Sequence, residues 1–165
     1  MTARQSHGAR TPAPVAASPL TLDNLGFLLA KSSQRWNELL YDRFVAAGFP
    51  EVRPAYGSLL IPLYEEDGLR QGELARRARL SKQTMTTMTR ALERDGLVER
   101  RVDQSDARAT QIFLTERARE LRPVAEQVLK EVEAMVGAAL PARARETLKT
   151  SLRQIAGLDR PTPGA

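Results

Sequence analysis

The 165-residue chain has no cysteine and a single histidine, His7. The missing thiols exclude disulfides, a thiolate nucleophile, a thiol redox switch and cysteine-ligated zinc. One histidine in a polar tail gives no basis for a catalytic triad or a histidine metal site within one chain. A carboxylate-only Mg²⁺ or Ca²⁺ site is not excluded by counting. Apolar runs are short: Leu25 to Ala30 is six residues, against the roughly 20 of a membrane-spanning helix. The first residues carry arginines but no apolar stretch of the kind a secretory signal needs. No convergent nucleophile, base or metal constellation is visible. The expectation is a soluble, cytoplasmic protein that is not an enzyme, needs no cofactor and has no membrane partner.

What the chain does have is positive charge in one place. Lys and Arg total 25 and Asp and Glu 20, a net charge of +5. The total is modest, but residues 70–110 hold ten basic and six acidic side chains, whereas residues 20–69 hold four basic and seven acidic. A concentrated positive segment is the footprint of a polyanion partner. The alternative is a surface that only keeps the protein soluble. At 42% hydrophobic residues, a chain of this length buries roughly 70% of its unfolded surface.

Residues 1–19 are rich in Ala, Pro, Ser and Thr and are expected to be a disordered tail; residues 161–165 read as a loose end. The rest is mostly helical. Thr21 or Asp23 can cap a first helix whose apolar residues, among them Leu25, Leu28, Trp36, Leu40 and Phe44, recur at three- and four-residue spacing until Gly48. Pro54 opens a second helix carrying Leu59, Leu60, Leu63 and Tyr64, in which Pro62 should force a kink or an early end. A short third helix covers about Gln71 to Arg79. Ser81 caps a fourth running to about Arg94, and Asp95-Gly96 stops it. Residues 97–102 and 109–114 read as a β-hairpin with a polar tip. Thr115 caps a fifth helix through about Val136, with a bend near Arg119 to Arg122 imposed by Pro123, and Pro141 opens a last helix stopped by Gly157.

Helix, three-residue turn, helix, hairpin is the order of a winged helix-turn-helix. In the fourth helix Met85, Met88 and Leu92 fall on one face, and Gln83, Thr87, Arg90 and Arg94 on the opposite one, flanked by Lys82 and Thr86. From Ser81 to Arg94 the only acid is Glu93. Arg, Gln and Thr are the side chains that reach base edges and phosphates, and Ser81 stands where a helix N-terminus meets phosphate. The hairpin tip adds Arg100, Arg101 and Arg108, with Asp103 and Asp106 between them. One arginine can enter the minor groove while a carboxylate holds another in place. The alternatives are an amphipathic helix with a solvated face and a surface ion-pair cluster.

The stretch GELARRARLSKQTMTTMTRALERDGLVERRVDQSDARATQIFLT, residues 72–115, resembles the MarR family of bacterial transcriptional regulators: ELA, a short turn, a Thr-rich recognition helix, a Leu-Glu…Gly-Leu-Val segment, then an acid- and arginine-bearing wing ending in Leu-Thr. The resemblance implies a mainly α fold with a small β-hairpin wing and flanking dimerisation helices. It implies a homodimer whose first and last helices intertwine on double-stranded DNA at a pseudo-palindromic operator, with a small aromatic or phenolic effector bound between the dimerisation helices and the DNA-binding lobe. The family wing usually reads Asp-Arg-Arg. Here it is Asp106-Ala107-Arg108, which leaves Arg108 alone for the minor groove. The family's redox-sensing branch needs a cysteine and its metal-sensing branch several ligands, which this chain lacks.

The domain reading is therefore 20–53 and 116–160 as the dimerisation region and 54–115 as the winged helix-turn-helix. Leu20, Leu22, Leu25, Leu148, Leu152 and Ile155 carry apolar stripes that a second chain can cover; packing within one chain is the alternative. For an effector, Arg35 or Arg43 with Trp36, Tyr41, Tyr56 and Tyr64 would suit a carboxylated aromatic, unless these aromatics are ordinary core. A winged-helix protein-interaction module without DNA binding is the rival function.

Overall fold

A computed structural model describes residues 21–158. The expected tail 1–19 with His7, Leu20 and the loose end 161–165 lie outside them. The chain divides into two units, residues 1–34 and 35–165.

In the first unit the start of helix α1 (Leu25–Ala46) is capped by Asn24 rather than Thr21 or Asp23: its Oδ1 accepts from the Phe27 N–H at 2.9 Å. Leu22, Leu25, Phe27 and Leu28 are all exposed.

In the second unit α1 buries Leu40 and Phe44 and ends as Gly48 turns left-handed (φ 86°). The Phe49 N–H bonds the Phe44 carbonyl at 2.8 Å and the Gly48 N–H the Val45 carbonyl at 3.1 Å. This pair of bonds satisfies carbonyls that the helix end would otherwise leave open. A 3-10 turn, Pro54–Tyr56, leads into α2 (Gly57–Glu65). Pro54 thus opens the turn rather than the α-helix. Pro62 lies within α2, which ends three residues later.

A short strand β1 (Leu69–Arg70), absent from the sequence reading, precedes α3 (Gln71–Arg77). Two residues are too short to show an alternation, so only the pairing of Leu69 with Ile112 reveals it. Helix α3 stops earlier than Arg79 because Arg79 itself is left-handed (φ 52°). The Leu80 N–H then reaches the Ala75 carbonyl at 2.9 Å. A side chain in this conformation is strained by about 1–2 kcal/mol.

Helix α4 (Lys82–Arg94) is capped by Ser81, whose Oγ accepts from the Thr84 N–H at 3.1 Å. Strands β2 (Val98–Val102) and β3 (Thr110–Leu114) form the hairpin, giving an antiparallel sheet in the order β1-β3-β2. Helix α5 (Glu116–Ala139) runs through Pro123 and past Gly137, and α6 (Ala142–Ala156) closes the described chain.

Leu59, Leu74, Leu92, Leu97 and Ile112 have no solvent exposure and tie α2, α3, α4 and the sheet together. Burial of each such side chain contributes about 1.5–3 kcal/mol. The fold is the mainly α winged helix-turn-helix expected, with a third strand that anchors the wing.

Candidate nucleic-acid interface

Helix α4 presents two chemically different faces. Met85 and Leu92 are buried and Met88 partly so, as the periodicity requires. Thr89, which carries no apolar signal, is also buried; its hydroxyl donates to the Met85 carbonyl at 2.8 Å. This bond satisfies the hydroxyl inside the helix and lets a polar residue sit in the core.

On the other face Lys82, Gln83, Thr87, Arg90 and Arg94 are exposed and Thr86 half-buried. The Thr86 and Thr87 hydroxyls donate to the Lys82 and Gln83 carbonyls at 2.9 and 3.1 Å. Thr86 Oγ1 also accepts from Gln71 Nε2 at 3.5 Å, whereas the exposed Thr87 keeps its methyl and remaining lone pairs toward solvent. Lys82 and Arg90 form no ion pair among the described residues. Arg94 is different: its Nε donates to Asp95 Oδ1 at 3.0 Å.

The wing arginines also separate by geometry. Arg100 bonds Glu93 at 2.7 Å, which ties β2 to α4. Arg101 pairs with Glu99 and lies 4.4 Å from the Phe113 ring centroid. Arg108 is exposed, and among the described residues its side chain has no partner; its backbone N–H donates to Asp106 Oδ1 at 3.0 Å. Asp106 therefore shapes the loop and Arg108 carries its free charge.

The carboxylate that holds an arginine is Asp103, and the arginine is one the sequence reading missed. Arg70 on β1 donates from Nε to Asp103 Oδ2 at 2.7 Å and from its second nitrogen to Ser105 Oγ at 2.9 Å. Asp103 Oδ1 accepts from the Ser105 N–H, the Ser105 hydroxyl and the Asp106 N–H. Asp103 is buried at 6% exposure. The Arg70 bond, then the Ser105 bonds, hold its carboxyl well below the ordinary range. Arg70 is 33 residues away in sequence, so no local motif could pair it with the wing.

The expected effector residues scatter. Trp36 and Tyr64 line a cavity of about 280 Å³ bounded by α1, α2 and α5, near the lower end of the roughly 300–1,000 Å³ typical of small-molecule sites. Its arginine is Arg53, not Arg35 or Arg43. Arg35 pairs with Glu38 at 3.2 Å. Arg43 bonds the Leu39 carbonyl and Glu131. Tyr41 lies under the Arg53 guanidinium, 5.0 Å from the ring centroid. Tyr56 is absent from the lining; it is buried and its hydroxyl donates to Asp95 Oδ2 at 2.5 Å. The Tyr64 hydroxyl is taken by the Ala118 carbonyl at 2.8 Å, and burial pushes it up to about 12. An arginine preceding a proline in a loop carries no sequence signal for a cavity, so Arg53 was not legible.

Among the described residues, no helix is long and apolar enough to cross a membrane, and no group of three or more His, Cys, Asp or Glu is placed to hold a metal ion.

Comparison with known proteins adds context to this surface. A family model described as "MarR family" matches residues 54–110. The HTH-type transcriptional repressor Rv2887 of Mycobacterium tuberculosis is 36% identical over 126 residues, covering 71% of this chain and 90% of the relative. The repressor CouR bound to a 23-mer DNA duplex superposes with a TM-score of 0.69 at 26% identity, covering 84% of this chain and 99% of CouR. CouR of Rhodococcus jostii RHA1 bound to p-coumaroyl-CoA gives 0.64 at 26% identity, covering 85% and 96%.

Proposed function

This chain belongs to the MarR family of transcriptional regulators, and on that premise we propose that it is a sequence-specific repressor, active as a homodimer on a pseudo-palindromic operator and released by a small aromatic ligand. It works in the cytoplasm, on the nucleoid when bound to DNA, and catalyses no reaction. The observation that carries the reading is the outer face of α4. Lys82, Gln83, Thr87 and Arg90 are exposed there, and among the described residues Lys82, Arg90 and the Arg108 side chain form no ion pair. Such a face offers donors to guanine and adenine edges and cations to phosphate.

Two of these helices in one dimer would enter successive major grooves about 34 Å apart. Support for the dimer comes separately from each unit. Leu22, Leu25 and Leu28 are exposed in one, and Leu148, Leu152 and Ile155 of α6 in the other; a second chain would remove these side chains from water. Support for the ligand comes from the aromatic cavity and from the aromatic acyl compound held by CouR.

Selection of duplexes from a random library by the purified full chain tests the reading. The expected product is a two-fold-symmetric site, bound by a species of twice the chain mass in sedimentation. Arg90→Ala should weaken the selected duplex more than random DNA. Equal loss on both would remove its base-reading role. Absence of salt-dependent duplex binding would return the protein-interaction alternative.

A further inference from the structure

The cavity and the recognition helix meet at one short segment. Arg53 and Pro54 line the cavity. Three residues after Arg53, Tyr56 closes the same turn, its N–H donating to the Arg53 carbonyl at 2.9 Å. The Tyr56 side chain faces other company: it is buried and its hydroxyl donates to Asp95 Oδ2 at 2.5 Å. Asp95 is the C-cap of α4 and also accepts from Arg94 Nε at 3.0 Å. The turn thus has a cavity end and an end bonded to the C-cap of α4, with Pro54 restricting the backbone between them. Burial of the ring needs no hydroxyl, since phenylalanine would fill the same space. The hydroxyl is there for Asp95.

The cavity end has a definite chemistry. Its lining is apolar except at Arg53, Ser58, Tyr64 and the Trp36 indole N–H. The Tyr64 hydroxyl is bonded to the Ala118 carbonyl and Ser58 Oγ to the Ala55 carbonyl. Of Arg53, Ser58 and Tyr64, only the Arg53 guanidinium has no hydrogen bond or ion pair among the described residues; the Tyr41 ring lies beneath it. A free guanidinium beside an apolar, aromatic cavity selects a planar acid.

Building on the effector reading above, we propose that Arg53 takes the acid group of a carboxylated aromatic ligand, and that the Pro54–Tyr56 turn carries its arrival to α4 through the Tyr56–Asp95 bond. Drawing Arg53 from the Tyr41 ring toward the ligand shifts the turn that Arg53 begins. The charge-assisted bond makes the end of the recognition helix follow. Tyr56 is a positioning residue: it touches neither ligand nor DNA. Linkage requires the reciprocal effect, so DNA binding changes ligand affinity by the same factor.

Trp36 is the only tryptophan in the chain and lines the cavity, so its emission reports occupancy directly. The full-length protein is titrated with cinnamate, with uncharged cinnamamide and with a library-selected duplex. Cinnamate should change Trp36 emission and weaken duplex binding. Arg53→Gln should weaken cinnamate about tenfold, the loss of one charge-assisted bond, and leave cinnamamide nearly unchanged. Tyr56→Phe should keep cinnamate affinity but lose most of the cinnamate-induced fall in duplex affinity. Asp95→Asn, which keeps the side-chain shape, should lose part of it, and stands in if Tyr56→Phe melts early. Equal weakening of acid and amide by Arg53→Gln, no cinnamate response in the unmodified protein, or undiminished coupling in Tyr56→Phe would overturn the proposal while leaving DNA binding intact. Failure of the unmodified protein to bind any duplex would overturn the repressor reading as well.

Discussion

Replacing Arg108 by alanine separates a DNA-contacting wing from an ornamental one. The structure sorts the wing cations by what already neutralises them. Arg100 is bonded to Glu93, and Arg101 to Glu99 with its guanidinium over Phe113. Arg108 has no side-chain partner among the described residues; its N–H alone is engaged. A free cation that meets a DNA phosphate releases condensed counterions and steepens the fall of log K with log salt by about 0.9 per contact. A cation already paired within the protein releases far fewer. Arg108→Ala should therefore flatten the slope by about 0.9 per protomer, or about 1.8 for a dimer on two half-sites. Extrapolated to ~0.1 M salt, each lost contact corresponds to about eightfold in affinity. Arg101→Ala should change the slope by less than half as much. The assay is fluorescence anisotropy of a labelled selected duplex over a series of KCl concentrations. An unchanged slope in Arg108→Ala, or equal changes in the two variants, would refute the assignment of the free wing charge to DNA.

Two further outcomes follow from local geometry. Gly68 and Gly96 are both left-handed (φ 72° and 73°), but a Cβ on Gly68 would lie 2.6 Å from the Phe113 ring, while one on Gly96 meets open space. Gly96→Ala should destabilise by about 1–2 kcal/mol through backbone strain alone, and Gly68→Ala by a further ~1–3 kcal/mol through displaced packing; equal losses in urea unfolding would contradict this. Glu73 is held down to about 2, from 4.5, by hydrogen bonds from Arg76 and then Arg77. Its folded value lies below its unfolded one, so its stabilising contribution is present above about 4.5 and lost as the pH falls toward 2. The thermal midpoint of Glu73→Gln should fall less than that of the unmodified protein across this window, and the difference should shrink in high salt because the group is only half-buried and its partner Arg76 is exposed.

The agreement between sequence and structure is closest where the signal is periodic or local. The two faces of α4 and the Ser81 cap depend on residues within one or two helical turns of each other. The spacing of Met85, Met88 and Leu92 against Gln83, Thr87 and Arg90 could come from no other helix orientation. Misplaced boundaries have local causes too. Arg79 in a left-handed conformation shortened α3, because an arginine gives no warning of a position usually filled by glycine.

Sequence by itself determined the winged helix-turn-helix, the buried and exposed faces of α4 and the side chains on each, because hydrophobic period and capping chemistry are written in consecutive residues. It also removed thiol chemistry outright, since no cysteine exists to perform it. Only the tertiary structure decided which charges are free. It paired Arg70 with Asp103, Arg100 with Glu93 and Arg94 with Asp95, and left Lys82, Arg90 and Arg108 without an ion pair among the described residues. It likewise put Arg53 in the cavity wall and moved Tyr56 out of it. Arg70 and Asp103 come from segments far apart in the chain and even Arg94 meets its neighbour Asp95 only in one folded geometry, so a charge's availability depends on what folding brings within about 3 Å of it.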